Sequence, residues 1–255
     1  MAPASSPFIE TALKHRTIRE YEDRRVPEET LNTLIEVARQ TATSSGMQLS
    51  SLIIVDDPEK RHQIVEVAKQ DYIARAPHLW IFIVDCARAH QLISENGADA
   101  GGMTTMDVFF QGFTDAILQA QNVNSAAESL GLGTCFLGSP LNDPFRLAEI
   151  LELPPLTFPA LGLMFGYPAQ EPQLKPRMSM KLRTFTDRYQ RIESQRDAIA
   201  PYDAQMLKYY DTRDTNQKSS TFTEQLTKRA AVVLPKRRKF LEAMRQQGFN
   251  LGIQD

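Results

Sequence analysis

Four short stretches carry side chains whose types and spacing could do chemistry. His15-Arg16-Thr17-Ile18-Arg19 packs three cationic or donor side chains and a hydroxyl into five residues. The apolar Ile18 in its middle points to partial burial, and a buried arginine needs an anion. Thr43-Ser44-Ser45-Gly46 offers hydroxyls on a flexible backbone. Lys175-Pro176-Arg177 sends two charges out in a fixed relation, because the proline keeps the chain extended. Arg213 and Lys218 lie in the polar stretch DTRDTNQK. All four suit an anion such as a phosphate, although each alone also reads as a solvated basic face or an ordinary loop.

Other chemistries are argued against. His15, His62, His78 and His90 show no HxxxH or HExxH spacing, and Cys86 and Cys135 are far apart with no CxxC, so no metal site is expected. Gly131–Gly138, GLGTCFLG, contains a GxG, but a helix pattern precedes it and a strand pattern follows. That is the reverse of the dinucleotide-binding order. Walker A and GxSxG motifs are absent.

The elements that must position these residues are legible in part. A helix is expected over Ile9–Leu13. A second starts at Pro27, with Glu28 and Glu29 in its first turn, and runs to about Gln40 on the stripe Leu31, Leu34, Ile35 and Ala38. Asp57-Pro58 starts a third, to about Lys69. After a break at Asn96–Gly102, Met106, Phe110, Phe113, Ile117, Ala120, Ala127 and Leu130 recur at helical steps, and Gly131 suits the left-handed cap. That helix is roughly 40 Å long, suited to the centre of a domain or a dimer. A helix is expected over Asn142–Leu151. Strands are expected over Leu49–Val55, Leu79–Val84, Gly133–Leu137 and Thr157–Phe165. Pro168–Arg183 is Pro-rich and basic, hence extended. Polar helices follow around Ala204–Tyr210, Thr223–Ala230 and Pro235–Gln247. The order fits an α+β domain with a sheet wrapped by helices.

Composition narrows the class. The 255 residues are 42% hydrophobic with net charge −2, enough for a core and too balanced for a dedicated nucleic-acid binder. The balance is uneven: residues 1–170 carry net −9 and residues 171–255 net +7. A basic tail on an acidic body reads as chance, self-association or a meeting with an anion. Two cysteines without a framework fit a reducing cytoplasm. The N-terminus lacks the pattern of a secretory signal, and the longest apolar runs, Leu79–Val84 and Leu161–Phe165, are far short of a membrane span. A soluble cytoplasmic protein is expected.

Taken in order, HRTIR, the Ser/Thr-rich loop after the next helix, AAESLGLGTCFLG, LKPR after a Gly-Tyr-Pro turn, and YDAQMLKYYDTR are similar to the nitroreductase superfamily. They resemble in particular its NADPH-dependent flavin reductase and oxygen-insensitive major nitroreductase branch, over nearly the whole chain. The resemblance implies a single domain, 1–255, with a mostly antiparallel central sheet surrounded by helices. Residues 1–170 would form the core and 171–255 a basic C-terminal extension. It implies a homodimer with noncovalent FMN at the subunit interface and NADPH as electron donor.

By the same resemblance His15, Arg16, Thr17, Arg19, Thr43, Gln70, Phe136, Leu137, Gly138, Ser139, Lys175 and Arg177 would hold FMN. Arg213 and Lys218 would hold the 2′-phosphate of NADPH, and Ser45, Gly46 and Arg237 would line the acceptor pocket. No side chain would act as general base; Arg19 and a backbone N–H near Gly138 would tune the flavin. Two-electron reduction of nitroaromatics, quinones or free flavin is implied. Alternatives are another redox task such as dehalogenation, supply of reduced flavin to a partner, or flavin binding without catalysis. The chain departs from the pattern at Thr17, which stands for serine, at Gly46, where an aromatic is common, and at Ser139, where a second glycine is common.

Overall fold

β2, His78–Asp85, is buried along nearly its whole length and splits its side chains between two faces. Leu79, Ile81 and Ile83 face one apolar cluster, while Trp80 and Phe82 face another. That alternation requires helices on both sides of the sheet. In the computed structural model, which describes residues 5–211 and 220–252, both layers are present. The chain divides into one unit of Met1–Pro172 with Leu234–Asp255 and another of Gln173–Val233.

The first unit holds a four-stranded sheet in the order β1-β2-β4-β3, with β1 Ser50–Ile54, β3 Gly133–Leu137 and β4 Thr157–Gly166. Every neighbouring pair is antiparallel, with Ile53 opposite Ile81, Trp80 opposite Leu163 and Cys135 opposite Met164. One face packs on α3, Pro58–Ala68, the short α4, Tyr72–Arg75, and α7, Pro144–Ile150, through Ile64, Ile73, Leu147 and Ile150. The other packs on α2, Glu28–Arg39, and α6, Met106–Ser129, through Leu34, Ala116, Ala120 and Val123. Helix α10, Phe240–Gln246, contributes Ala243 and Met244 to a third cluster with Phe109, Phe158 and Phe249.

Small residues bring α6 close to the sheet. A Cβ on Gly112 would lie 2.7 Å from the Leu49 carbonyl oxygen and 2.9 Å from Val84. The helix ends as expected, with Gly131 at φ 79°. Its outward residues differ from the expected stripe: Phe110 and Leu130 are exposed, while Val108, Phe109, Gly112 and Val123 are buried. Helices α1, Pro7–Leu13, and α5, Ala87–Glu95, bury none of their residues.

The second unit holds α8, Gln195–Asp211, and α9, Phe222–Ala231. Asp203 accepts from the backbone and hydroxyl of Thr223, and Tyr202 packs on Phe222 at 5.2 Å between ring centres. Helix α8 begins nine residues before its expected start, with Pro201 inside it. Among the described residues no helix is long and apolar enough to cross a membrane.

The N-terminal arm depends on a missing side chain at Gly133, where a Cβ would stand 2.7–2.8 Å from three Ile18 atoms. Gly133→Ala is therefore expected to lower unfolding free energy by about 1–3 kcal/mol, measured by urea denaturation.

Candidate active site

After α1 the chain runs as an arm across the free edge of β3. The Ile18 N–H donates to the Thr134 carbonyl at 2.8 Å, and Thr17 bridges to Thr134. Ile18 is buried against Gly133, which leaves its neighbours turned elsewhere. His15 Nδ1 lies 2.5 Å from Glu128 Oε1, and the Thr134 hydroxyl donates to the same oxygen at 2.9 Å. Arg16 donates from Nη1 to the Lys14 carbonyl, while its Nε is buried with no partner. This group borders a cavity of about 700 Å³, lined by Lys14, His15, Arg16, Glu128 and Gly133 among others. His15 and Phe136 share a second cavity of about 340 Å³ with Asn124.

A second group forms where β3 ends. Helix α3 stops at Lys69, whose φ of 57° reverses the chain and delivers Gln70 and Tyr72. The Ser139 hydroxyl donates to Gln70 Oε1 at 2.5 Å. The Arg19 guanidinium lies 5.6 Å from the centre of the Tyr72 ring. Burial pushes the Tyr72 hydroxyl pKa up, and the neighbouring Arg19 and Gln70 side chains pull it partly back. Burial also raises the Cys135 thiol to about 11, so it stays protonated at neutral pH. Arg237 Nη1 donates to the Gly138 carbonyl at 2.6 Å and to Asn142 Oδ1 at 3.2 Å. Next to it, Lys236 pairs with Asp143.

The Ser/Thr loop is a third group. Ser45, Gly46 and Gln48 all have positive φ, at 51°, 69° and 54°. Asp115, 1% exposed on α6, bridges the loop: its two oxygens accept from the Ser44 N–H at 2.7 Å and the Leu49 N–H at 3.0 Å. Arg88 donates to the Gln48 carbonyl at 2.5 Å and pairs with Asp85. Asp115 stands thirteen residues before Glu128 on α6, about 20 Å away at 1.5 Å per residue. Within one chain, the Ser/Thr loop and the HRTIR arm are held at separate stations of the same helix.

The nitroreductase family profile matches residues 12–167, and the profile of its C-terminal domain matches residues 175–252. The chain belongs to the nitroreductase family. Over 246 residues it is 32% identical to an FMN reductase (NADPH) of Bacillus subtilis, covering 95% of this chain and 98% of that protein. It is 33% identical over 245 residues to an oxygen-insensitive NADPH nitroreductase of Salmonella typhimurium, covering 96% and 98%. The solved structure of NfrA2 from B. megaterium superposes with a TM-score of 0.90 at 30% identity, covering 97% of this chain and 99% of that one.

In this nitroreductase the arm places His15 and Arg16 on one cavity and His15 with Phe136 on another, while at the β3 end Ser139 meets Gln70, Arg237 meets Gly138 and Arg19 lies against Tyr72. Leu137 buries its side chain in the core, which leaves only its backbone for a ligand. Thr43, Ser45 and Gly46 belong to the separate loop. Lys175 and Arg177 lie in the second unit, half-buried and exposed respectively, on a chain whose Pro176 carbonyl accepts from Tyr202. Arg213 and Lys218 fall outside the described residues. Sequence reasoning missed Glu128, Asp115 and Tyr72. The signal for Asp115 is an acid within the apolar pattern of α6, between Phe113 and Ile117; for Tyr72 it is the place two residues past Gln70. A larger cavity, about 860 Å³ and lined by Arg24, Arg25 and Arg75, contains none of the expected site residues.

Replacing Asp115 by alanine leaves the buried Leu49 N–H and the half-buried Ser44 N–H without an acceptor. A loss of about 2–4 kcal/mol in unfolding free energy is expected, and a smaller loss for Asp115→Asn, which keeps one acceptor. Urea titration of both variants reads the difference.

Proposed function

We propose that this nitroreductase is an NADPH-dependent FMN oxidoreductase acting on nitroaromatics, quinones or free flavin. The observation that carries the reading is Arg16 Nε, a buried guanidinium donor without a partner, on a residue that lines a cavity together with His15, with Thr17 next in the chain. A buried cationic donor of this kind is stabilised by an anion, and a phosphate dianion suits a guanidinium, an imidazole and a hydroxyl together. At the other end, a Cβ on Gly138 would meet only Arg237 Nη2, at 3.8 Å. The backbone there stays open to a flat ring, and Arg237 fixes its peptide plane. The donor set fits FMN.

His15, Arg16 and Thr17 would hold the phosphate, joined by Lys175 and Arg177. Glu128 orients His15 by binding Nδ1. Arg19 and Gln70 would face the pyrimidine edge, where a guanidinium stabilises growing negative charge by the logic of an oxyanion hole. Phe136, Leu137, Gly138 and Ser139 would line the ring, the last three through backbone. When bound, FMN supplies the two-electron hydride chemistry, from NADPH to the acceptor in a ping-pong cycle. Arg213, with Lys218, would select NADPH through its 2′-phosphate.

The acceptor would stack near Ser45, Gly46 and Arg237. Because Thr43, Ser45 and Gly46 belong to a station about 20 Å along α6 from the arm, a second subunit is the source that could bring such a loop to each site. Exposed Phe8, Leu13, Phe110 and Leu118 on α1 and α6 offer apolar surface for that contact. A homodimer is proposed on those grounds. Two buried free thiols agree with a reducing cytoplasm.

An anaerobic absorption spectrum tests the reading. The purified protein, or the protein after incubation with FMN, should be yellow and should bleach faster with NADPH than with NADH. A protein that never retains FMN overturns the proposal. Arg213→Ala is expected to raise KM for NADPH by about 10- to 100-fold, the worth of a charge-assisted contact, with KM for NADH nearly unchanged. Equal changes in steady-state KM for both donors would remove that role.

A further inference from the structure

We propose that the peptide between Gln48 and Leu49 anchors the Ser/Thr loop, gripped at its two edges by opposite charges from two helices, and that Arg88 is the positioning residue on one side. The inference rests on the reading above, in which this loop lies beside the acceptor. Its basis is a pair of contacts on one peptide unit. Arg88 Nη2 donates to the Gln48 carbonyl at 2.5 Å, and the Leu49 N–H donates to Asp115 Oδ2 at 3.0 Å.

The direction of each bond is fixed by chemistry. A guanidinium and a backbone N–H only donate, and a backbone carbonyl only accepts. The peptide therefore lies with its N–H edge on the α6 carboxylate and its C=O edge on the α5 guanidinium. A peptide is planar, so holding both edges stops it from turning about the bonds that flank it.

Arg88 is itself seated. Its Nη1 donates to Asp85 Oδ2 and to the Ser51 hydroxyl, each at 2.9 Å, and that hydroxyl donates on to the same Asp85 oxygen at 2.5 Å. Nη2 also reaches the Ser50 carbonyl at 3.3 Å. One guanidinium thus ties the end of β2, the start of β1 and the loop that precedes it. This gives α5 a task, since the helix buries none of its residues and carries Arg88 in its first turn.

The loop needs such a grip. Ser45 and Gln48 are non-glycine residues at positive φ, 51° and 54°. Residues in that region persist only where their surroundings hold them, and they gather at ligand clamps. Thr43, Gln48 and Arg88 border a cavity of about 440 Å³, so the loop has open space into which to relax. Released at Gln48, Ser45 and Gly46 lose their fixed place beside the acceptor. A small acceptor has no other anchor in the proposed site, whereas NADPH is also held through its 2′-phosphate. Arg88 therefore governs acceptor binding more than donor binding.

Steady-state kinetics of the FMN-saturated protein, with NADPH as donor and a small quinone as acceptor, test this. Native protein, Arg88→Ala, Arg88→Lys, Asp115→Asn and the double variant Arg88→Ala/Asp115→Asn are compared. Arg146→Ala, which removes a surface pair with Glu149 on α7, is the control. Arg88→Ala should raise the acceptor KM by about 3- to 10-fold. KM for NADPH and the rate of flavin bleaching by NADPH should stay within about twofold of native, as should every parameter of the control. Arg88→Lys, which keeps the charge and loses the fork, should fall between native and Arg88→Ala. The double variant should raise the acceptor KM by less than the product of the two single effects, because both release the same peptide. Where Arg88→Ala does not fold, the same comparison is read from Arg88→Lys. An unchanged acceptor KM, an equal rise for NADPH, or a double variant that matches the product overturns the inference while the FMN reading stands. Native protein that binds no FMN overturns both.

Discussion

Ile18 lies on Gly133, and the candidate site is arranged around that contact. β3 is an edge strand, and an unpaired edge is an opening that proteins cover. Here the cover is the arm. Its strand-like bond to that edge, Ile18 N–H to Thr134, is short enough to fix register, and the absent side chain at Gly133 allows an isoleucine to sit directly on the backbone. Once Ile18 is inside, His15, Arg16, Thr17 and Arg19 have fixed directions. The arm continues with the Glu22 N–H bound to the Tyr167 carbonyl and the Ala169 N–H bound to the Glu20 carbonyl, so the segment just past β4 holds its other end. Cationic side chains are thus carried on an apolar peg and a few backbone bonds, and their charges remain available for a ligand.

Helix α6 extends that order to the rest of the unit. Two of its acids are turned inward at different levels. Glu128 receives His15 and Thr134; Asp115 receives two backbone N–H groups of the Ser/Thr loop. Neither acid is an ion-pair partner of a lysine or arginine among the described residues. Each works as an acceptor that shapes a loop, which suits a buried carboxylate far better than an isolated charge would. Small residues at Gly112, Ala116 and Ala120 let the helix approach the sheet closely enough for these short side chains to reach.

The strands were legible because each has a compact apolar run bounded by turn residues, and β2 is buried on both faces. The long helix was legible in its ends, through the break at Asn96–Gly102 before it and the cap at Gly131, and less so in its face. Phe110 fits the helical spacing, yet it points outward while Phe109 fills the core. Hydrophobic spacing reports that a residue lies on some apolar surface and does not say which surface. Helix α5 was not anticipated: none of its residues is buried and its N-cap, Cys86, makes no side-chain cap. In α8, Pro201 reads as a break, although the helix passes through it. For the site, the basic and hydroxyl residues were recognisable by type. The acids that orient them were not, because a carboxylate accepting backbone N–H bonds leaves no spacing pattern.

Arg237 shows most clearly how position alters a reading. In the sequence it is one of four consecutive basic residues, KRRK, and the family resemblance sets it beside the acceptor pocket. In the fold it is half-buried and spends a hydrogen bond on the Gly138 carbonyl, while its neighbour Lys236 anchors to Asp143. The same two bonds account for the local helix start. Pro235 is followed by a tight turn at Arg237–Lys239, and the α-helix begins only at Phe240. The C-terminal segment is therefore the clamp on the turn that ends β3. A peptide held by a guanidinium at its oxygen cannot rotate, so the N–H of Ser139 on its opposite edge is also fixed in direction. Preorganised backbone donors do their work because no reorganisation is needed when charge develops in front of them. A long-range contact across nearly a hundred residues thus sets the geometry of a single amide at the candidate site.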